Sequence, residues 1–332
     1  MKKVFYIALA ALAFAACSKT EANFTASQEI SFMPVSKFDT KAAVEGTKFT
    51  ADQNFYVFAN TVVDNKKYFD NVLFVPEQGN TVGNLQVYKG NPTQYWPNVL
   101  ALKFAGVTQS GNVTPANTKV GKTNFNEIGI LEYEQPSPTS TDAKNDLMYF
   151  FDDNNGAGYT KGTSVVSPTM KHACSWLTIN IEAEESLVTY WSNLKVIDVT
   201  LLKLHEKGSV SLPANDASAW DLFRTTADVN VLNVEKTINA VAEDKVEFAN
   251  IPNNTIVLPQ TPVQLSVTYS YTTPAGVNNF TETKVLDLYY DDAKTPWQPG
   301  MHYTYNLTLT AEEIKIAPSS TDWDTTSTDK TI

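Results

Sequence analysis

Arginine is almost missing from this chain: Arg224 is the only one in 332 residues. Guanidinium forks are the usual bidentate grip on phosphate, and a net charge of −11 leaves no basic face. Together these exclude nucleic-acid binding as a class. Cysteine is as scarce, with Cys17 and Cys174 alone, so no disulfide framework holds the fold. The three histidines, His172, His205 and His302, have no zinc-like spacing to one another or to a cysteine, and each reads as structural. No nucleophile elbow, phosphate loop or dinucleotide fingerprint occurs. Adjacent acids stand at Asp152-Asp153, Glu184-Glu185, Asp291-Asp292 and Glu312-Glu313. Neighbours on a strand face opposite ways, which makes these poor acid–base pairs. No enzyme class, cofactor or metal therefore has a residue pattern behind it. Long apolar runs are also lacking, except Val4 to Phe14, which is too short to span a bilayer as a helix.

That one run has a context. Lys2 and Lys3 precede it, and the small residues Ala15-Ala16 follow it before Cys17. A basic start, an apolar stretch and small residues at a cut site make a secretory signal, residues 1–16. Residues 18–28 are polar and aperiodic, a flexible tether. Cys174, beside Trp176 and Leu177, reads as a small buried hydrophobe.

From residue 29 onward the pattern is strand. "EISFMPV" (29–35) is a first strand, followed by a turn-rich loop over 36–52. "NFYVFAN" (54–60) is apolar on both alternations, which predicts a strand covered on both faces. "LALKFAGV" (100–107) and "NDLMYFF" (145–151) follow. Further on, period two is clean. Leu177, Ile179 and Ile181 form one inward set, and Ile197, Val199 and Leu201 another. Val263, Leu265, Val267, Tyr269 and Tyr271 form a third, and Tyr303, Tyr305, Leu307 and Leu309 a fourth. A loop at 274–279 joins two runs as a hairpin. Helical period is nearly absent. Many short strands split by Asn, Gly and Pro turns predict an all-β chain of two antiparallel β-sandwiches, residues 42–165 and 166–332. The Gly- and Asn-rich stretch 152–169 holds the boundary. Its Asp152 to Gly158 segment is oxygen-rich, but it lacks the glycine position and distant bidentate Glu of a calcium loop, so it reads as a polar turn. Aromatic pairs at Tyr190-Trp191 and Tyr289-Tyr290 read as sheet or core residues, with sugar stacking as the alternative.

Several segments taken together resemble the fimbrillin-like proteins of Bacteroidetes, among which are type V pilus subunits. Ala15-Ala16-Cys17 is similar to a lipobox, with Phe14 at its first position. The resemblance continues through "GTKFTADQNFYVFAN", "YWPN", "DLMYF", "MKHACSWLTINIE", Pro259-Gln260, the run from Trp297 to Tyr305 and the closing Asp322-Trp323. It implies transthyretin-like β-sandwich domains and a lipid on Cys17 that anchors an outer-membrane precursor. It also implies assembly by proteolysis and strand exchange, ending in a cell-surface fimbrium. Mapped onto this chain, residues 17–41 hold the lipidated tether and the displaced strand, with Ile30, Phe32 and either Pro34 or Val35 facing a groove. The cut loop is 36–48, which has no arginine; its lysines are Lys37, Lys41 and Lys48, with Lys41 the favoured site and Lys37 the second. Implied partners are other pilus subunits, the outer membrane, a surface protease and a host or bacterial adhesion ligand. Ile314 and Ile316 alternate in a segment that is either a donor strand or part of its own sheet. The alternative function is a non-polymerising surface lipoprotein that binds host ligands or glycans, the latter through Trp191 or Tyr289.

Overall fold

The computed structural model describes residues 27–36, 53–82, 85–121, 125–137, 146–184, 187, 191–232, 236–237, 249–250, 255–273, 279–310, 313–322 and 330–331. Among these the chain is nearly all β. Strands are numbered in chain order, and they fall into four sheets.

The first sheet runs, in spatial order, β1 (Ser31–Phe32), β5 (Leu85–Asn91), β4 (Lys67–Val82), β3 (Phe55–Thr61), β6 (Leu102–Thr108), β9 (Met148–Asp152), β10 (Thr169–His172) and β2 (Val35–Ser36). Its two ends, β1 and β2, lie two residues apart in one extended segment. The sheet is therefore closed on itself by residues 28–36. Strand β3 is buried at all but one of its positions, as its unbroken apolar run predicts. Phe55, Val57 and Ala59 point into the interior of the closed sheet, and Tyr56 and Phe58 pack on its outer side.

That outer side is covered by the second sheet, β14 (Trp220–Leu222), β13 (Lys207–Leu212), β8 (Ile128–Glu134) and β7 (Thr118–Val120). The core between them joins Tyr56, Val107 and Tyr149 to Ile128, Tyr133, Val210 and Trp220. Strands β13 and β14 lie beyond the expected boundary at 165/166, yet β13 pairs with β8, β14 pairs with β13, and neither joins the sheets that follow. Sheet membership thus crosses that boundary, because the apolar face of β13 finds its partner in β8. Strand β10, also beyond 165, pairs with β9.

The third sheet is β17 (Ala249–Asn250), β11 (Ser175–Ala183), β21 (Met301–Leu309), β22 (Ile314–Asp322) and β23 (Lys330–Thr331), with β18 (Thr255–Val257) also on β11. The fourth is β15 (Ala227–Asn230), β12 (Ser192–Leu204), β19 (Gln264–Thr272) and β20 (Asn279–Asp287), with β16 (Lys236–Thr237) also on β12. Pairing is antiparallel except for β11 with β21 and β10 with β2. The third and fourth sheets share one core, in which Ile179, Tyr305 and Leu307 meet Val199, Leu201 and Val267.

The inward sets of β11, β19 and β21 are buried as their alternation predicts, while Val263 is only half-buried before its strand begins. Strand β12 departs from the expected set. Val199 and Leu201 are buried, but Ile197 is only half-buried, and Leu194 and Val196 are buried instead. The register against β19 shifts between Val196 and Asp198. A bulge inserts one residue and flips the alternation, so the set before it is out of phase with the set after it.

Candidate functional site: the closing strand

Residues 28–36 pair with both of the edges that they join, so their local sequence decides how the first sheet closes. Period two sends Ile30, Phe32 and Pro34 inward, and all three are buried. Val35, the alternative to Pro34 at the third position, falls on the opposite phase and is half-buried.

The backbone is satisfied on both sides. Toward β5, the Ile30 N–H donates to the Gln94 carbonyl at 2.8 Å, and the Trp96 N–H donates to the Gln28 carbonyl at 2.9 Å. Ser31 and Phe32 pair antiparallel with Lys89 and Tyr88. Toward β10, the Met33 N–H donates to Val166 at 2.8 Å, the Val166 N–H to Ser31 at 3.0 Å, and the Val35 N–H to Pro168 at 3.0 Å. This second side is parallel. The switch of partner edge splits the run into two short pieces of regular strand.

Side chains reinforce the seat. The Gln28 amide donates to the Thr163 carbonyl at 2.7 Å and accepts from the Gly162 N–H at 2.7 Å. Outside, Lys89 bridges Glu29 at 3.0 Å and Glu77 at 2.8 Å. Hydrogen bonds to Glu77 first, and then to Glu29, hold the Lys89 ammonium above its ordinary pKa. These groups are about one-third exposed or more, so the pairs contribute at most about 1 kcal/mol each.

Inside, Phe32 is fully buried among Phe55, Phe74, Phe104 and Phe150. It meets Phe74 and Phe104 edge to face, at centroid distances of 4.8 and 5.1 Å. Phe55 and Phe150 lie at 6.0 Å. Burying such a ring is worth roughly 1.5–3 kcal/mol before its edge-to-face contacts are counted. The segment is thus an apolar wedge whose removal would leave two bare strand edges and an aromatic slot.

The sequence marked the wedge but not its walls. Phe74, Tyr88, Phe104 and Phe150 each sit at an inward strand position, yet period two does not reveal which strands share a core. Trp96 lies in the quoted "YWPN" segment, which gave no sign that its N–H caps Gln28.

The other anticipated residues fall elsewhere. Cys17, Lys37, Lys41, Lys48 and Tyr190 lie outside the described residues. Ile314 and Ile316 lie in β22, paired with Leu309 and Leu307 of β21. Ile314 is buried in the core and Ile316 packs against it, so this segment completes its own sheet here. Strand β22 is bordered outside only by the two-residue β23 among the described residues. Trp191 is half-buried and stacks on Tyr271 at 3.6 Å. Tyr289 is also half-buried and lies beneath the Lys294 ammonium, 4.5 Å from the ring centre. Tyr290 packs on Tyr303 at 4.8 Å.

Cys174 is fully buried, and burial pushes its thiol pKa well up. His172 meets Asp146 at 2.8 Å in a buried pair, and the His205 ring meets the Phe223 carbonyl at 2.7 Å. His302 stacks flat on Trp176 at 3.5 Å, and burial lowers its pKa to about 4. In the 152–158 turn, Asp152 accepts from the Asn154 N–H at 3.0 Å and Asp153 from the Gly156 N–H at 3.1 Å. The Tyr159 hydroxyl donates to Asp152 at 2.9 Å. These carboxylates are committed to their own turn. Among the described residues no group of three His, Cys, Asp or Glu side chains could hold a metal ion.

The fimbrillin-like family model matches residues 40–323, most of the chain. The chain belongs to the fimbrillin-like family. Among solved structures it is similar to a fimbrial protein of Bacteroides vulgatus, with 13% identity and a TM-score of 0.59 over 89% of this chain and 99% of that one. It is also similar to a Bacteroides uniformis protein named for a cell-adhesion role, with 14% identity and a TM-score of 0.53 over 89% of this chain and 98% of that one. At these identities the likeness is one of fold. A comparison with curated proteins finds no match.

Proposed function

We propose that this chain is a subunit of a cell-surface fimbrium and that residues 28–36 are a provisional strand. In this reading residues 1–16 direct export, and Cys17 carries the lipid that holds the precursor at the outer membrane. A surface protease cuts the 36–48 loop, at Lys41 first and Lys37 second. The released segment leaves, and an extended strand of a neighbouring subunit enters the slot and restores both hydrogen-bonded edges. Ile314 and Ile316 are the donor candidates, and to donate they must first leave β21. The chain works as two β units divided near 165/166, with β13 and β14 lent to the first. Its role is structural and adhesive, with no catalytic residue and no cofactor.

One observation carries this reading. A single short segment, next to the expected cut loop, both closes a sheet along two edges and fills its core with Phe32. The test uses the mature chain with Cys17→Ser, nicked by a lysine-specific protease and mixed with un-nicked chain. Oligomers that have lost residues 17–41 support the reading. A nicked chain that keeps the segment and stays monomeric counts against it.

A further inference from the structure

Strand β4 is irregular where it passes β7. Its register against β3 shifts twice, between Val57 and Ala59 and again between Ala59 and Asn60. Bulges of this kind re-aim side chains and occur beside binding sites. Asn71 sits at the first shift with φ +52°, and Asn65 precedes the strand at φ +53°. Both are in the left-handed region, which Asn tolerates better than most residues.

The irregularity opens a cavity of about 460 Å³ between the β3–β4 turn and β7. Its walls combine the amides of Asn60, Asn65 and Asn71 with the rings of Phe58 and Phe69 and with Lys119. Lys67 and Asp70 also line it and neutralise each other at 2.8 Å. Among the described residues Lys119 has no ion pair, so their part of the cavity wall carries one uncompensated positive charge. The Asn71 amide donates to the Thr118 carbonyl at 3.2 Å, but its Oδ1 is buried without a hydrogen-bond partner among the described residues. A buried orphan acceptor costs about 1–3 kcal/mol, a cost that a ligand donor removes.

We propose that this cavity binds a saccharide unit, and binds one bearing a carboxylate better than a neutral one. The volume lies within the range of roughly 300–1,000 Å³ of small-molecule sites. A pyranose supplies what the walls lack. A hydroxyl donates to Asn71 Oδ1, other hydroxyls exchange hydrogen bonds with the Asn60 and Asn65 side chains, and the C–H face lies toward the phenylalanines. A carboxylate on the sugar meets Lys119. The site shares no residue with the closing strand, although its Phe69 packs on Phe74 and Phe104 from the same core, and the proposal holds whether or not the chain polymerises.

The test is titration calorimetry and NMR of the full mature chain with glucuronic acid, N-acetylneuraminic acid and glucose as probes. Saturable binding is expected for all three, with the two acids at least about tenfold tighter. Lys119→Ala, an exposed position on a three-residue strand, is expected to remove that preference and leave glucose affinity within twofold. Asn71→Gly keeps the left-handed backbone and is expected to weaken all three sugars. If none of the sugars binds saturably to the wild-type chain, or if neither substitution changes binding, the proposal is overturned. Circular dichroism of each variant establishes that the fold is retained.

Discussion

Phe32 meets Phe74 edge to face, with ring centroids 4.8 Å apart and planes at 87°. The two residues belong to strands that are not hydrogen-bonded neighbours in the first sheet, since β5 lies between β1 and β4. The contact therefore crosses the interior of the closed sheet, and it exists only while residues 28–36 are seated. Tying a terminal segment to the middle of an aromatic core makes its departure a change of state for the whole sheet.

Phe32→Ala tests that dependence. Truncating a fully buried phenylalanine leaves a cavity, and the loss is expected at about 3–5 kcal/mol. Chemical denaturation followed by tryptophan fluorescence measures it. In the proposed assembly the same variant should release its segment faster after the loop is nicked.

Lys89→Ala should behave differently. Its pairs with Glu29 and Glu77 are partly exposed, so their loss is expected to cost no more than about 1 kcal/mol. A denaturation midpoint close to wild type, beside a large shift for Phe32→Ala, would locate the segment's hold in its core face. A comparable loss in both variants would show that the outer ion pairs matter as much.

Gly106 lies on β6 directly against Phe150. A Cβ built there would fall 2.2 Å from the Phe150 ring, a position no real contact reaches. Gly106→Ala must displace that ring, which is part of the core around Phe32, and is expected to destabilise the fold by about 1–3 kcal/mol. Thermal unfolding reads the effect.

His302 links stability to pH. Its pKa is lowered from 6.5 to about 4 by burial against Trp176. Between these values the unfolded chain binds more protons than the folded one, so stability is present in full above pH 6.5 and falls as pH drops toward 4. The full loss, reached below pH 4, is on the order of 3 kcal/mol. His302→Gln should flatten this part of the stability–pH curve, measured by urea unfolding at several pH values.

Much of this was legible in the sequence because local alternation decides which face of a strand is apolar. Leu265, Val267, Tyr269 and Tyr271 are buried where period two places them, as are Tyr303, Tyr305, Leu307 and Leu309. Alternation fails where the backbone adds a residue. Ile197 was misplaced because the bulge beside it changes the phase. Of the two candidates for the third inward position, Pro34 keeps the phase that Ile30 and Phe32 begin and Val35 does not. The inward positions of the closing strand could be read, but its two partner edges could not. Pairing Ser31 with both Lys89 and the 164–166 stretch is a long-range choice, and no local pattern encodes it. The same holds for β13, whose apolar positions would suit either core. The saccharide cavity left no trace, since it arises from register shifts in β4 and not from a motif.

The most direct test of the closing-strand account is the N-terminus of the chain in its assembled surface form. Mass spectrometry and N-terminal sequencing of purified fimbriae report it. The account predicts a chain that begins at Ala42, with Phe32 and the lipid-bearing Cys17 both gone. An assembled chain that still begins at Cys17, or that retains residues 28–36 in its own sheet, would contradict it.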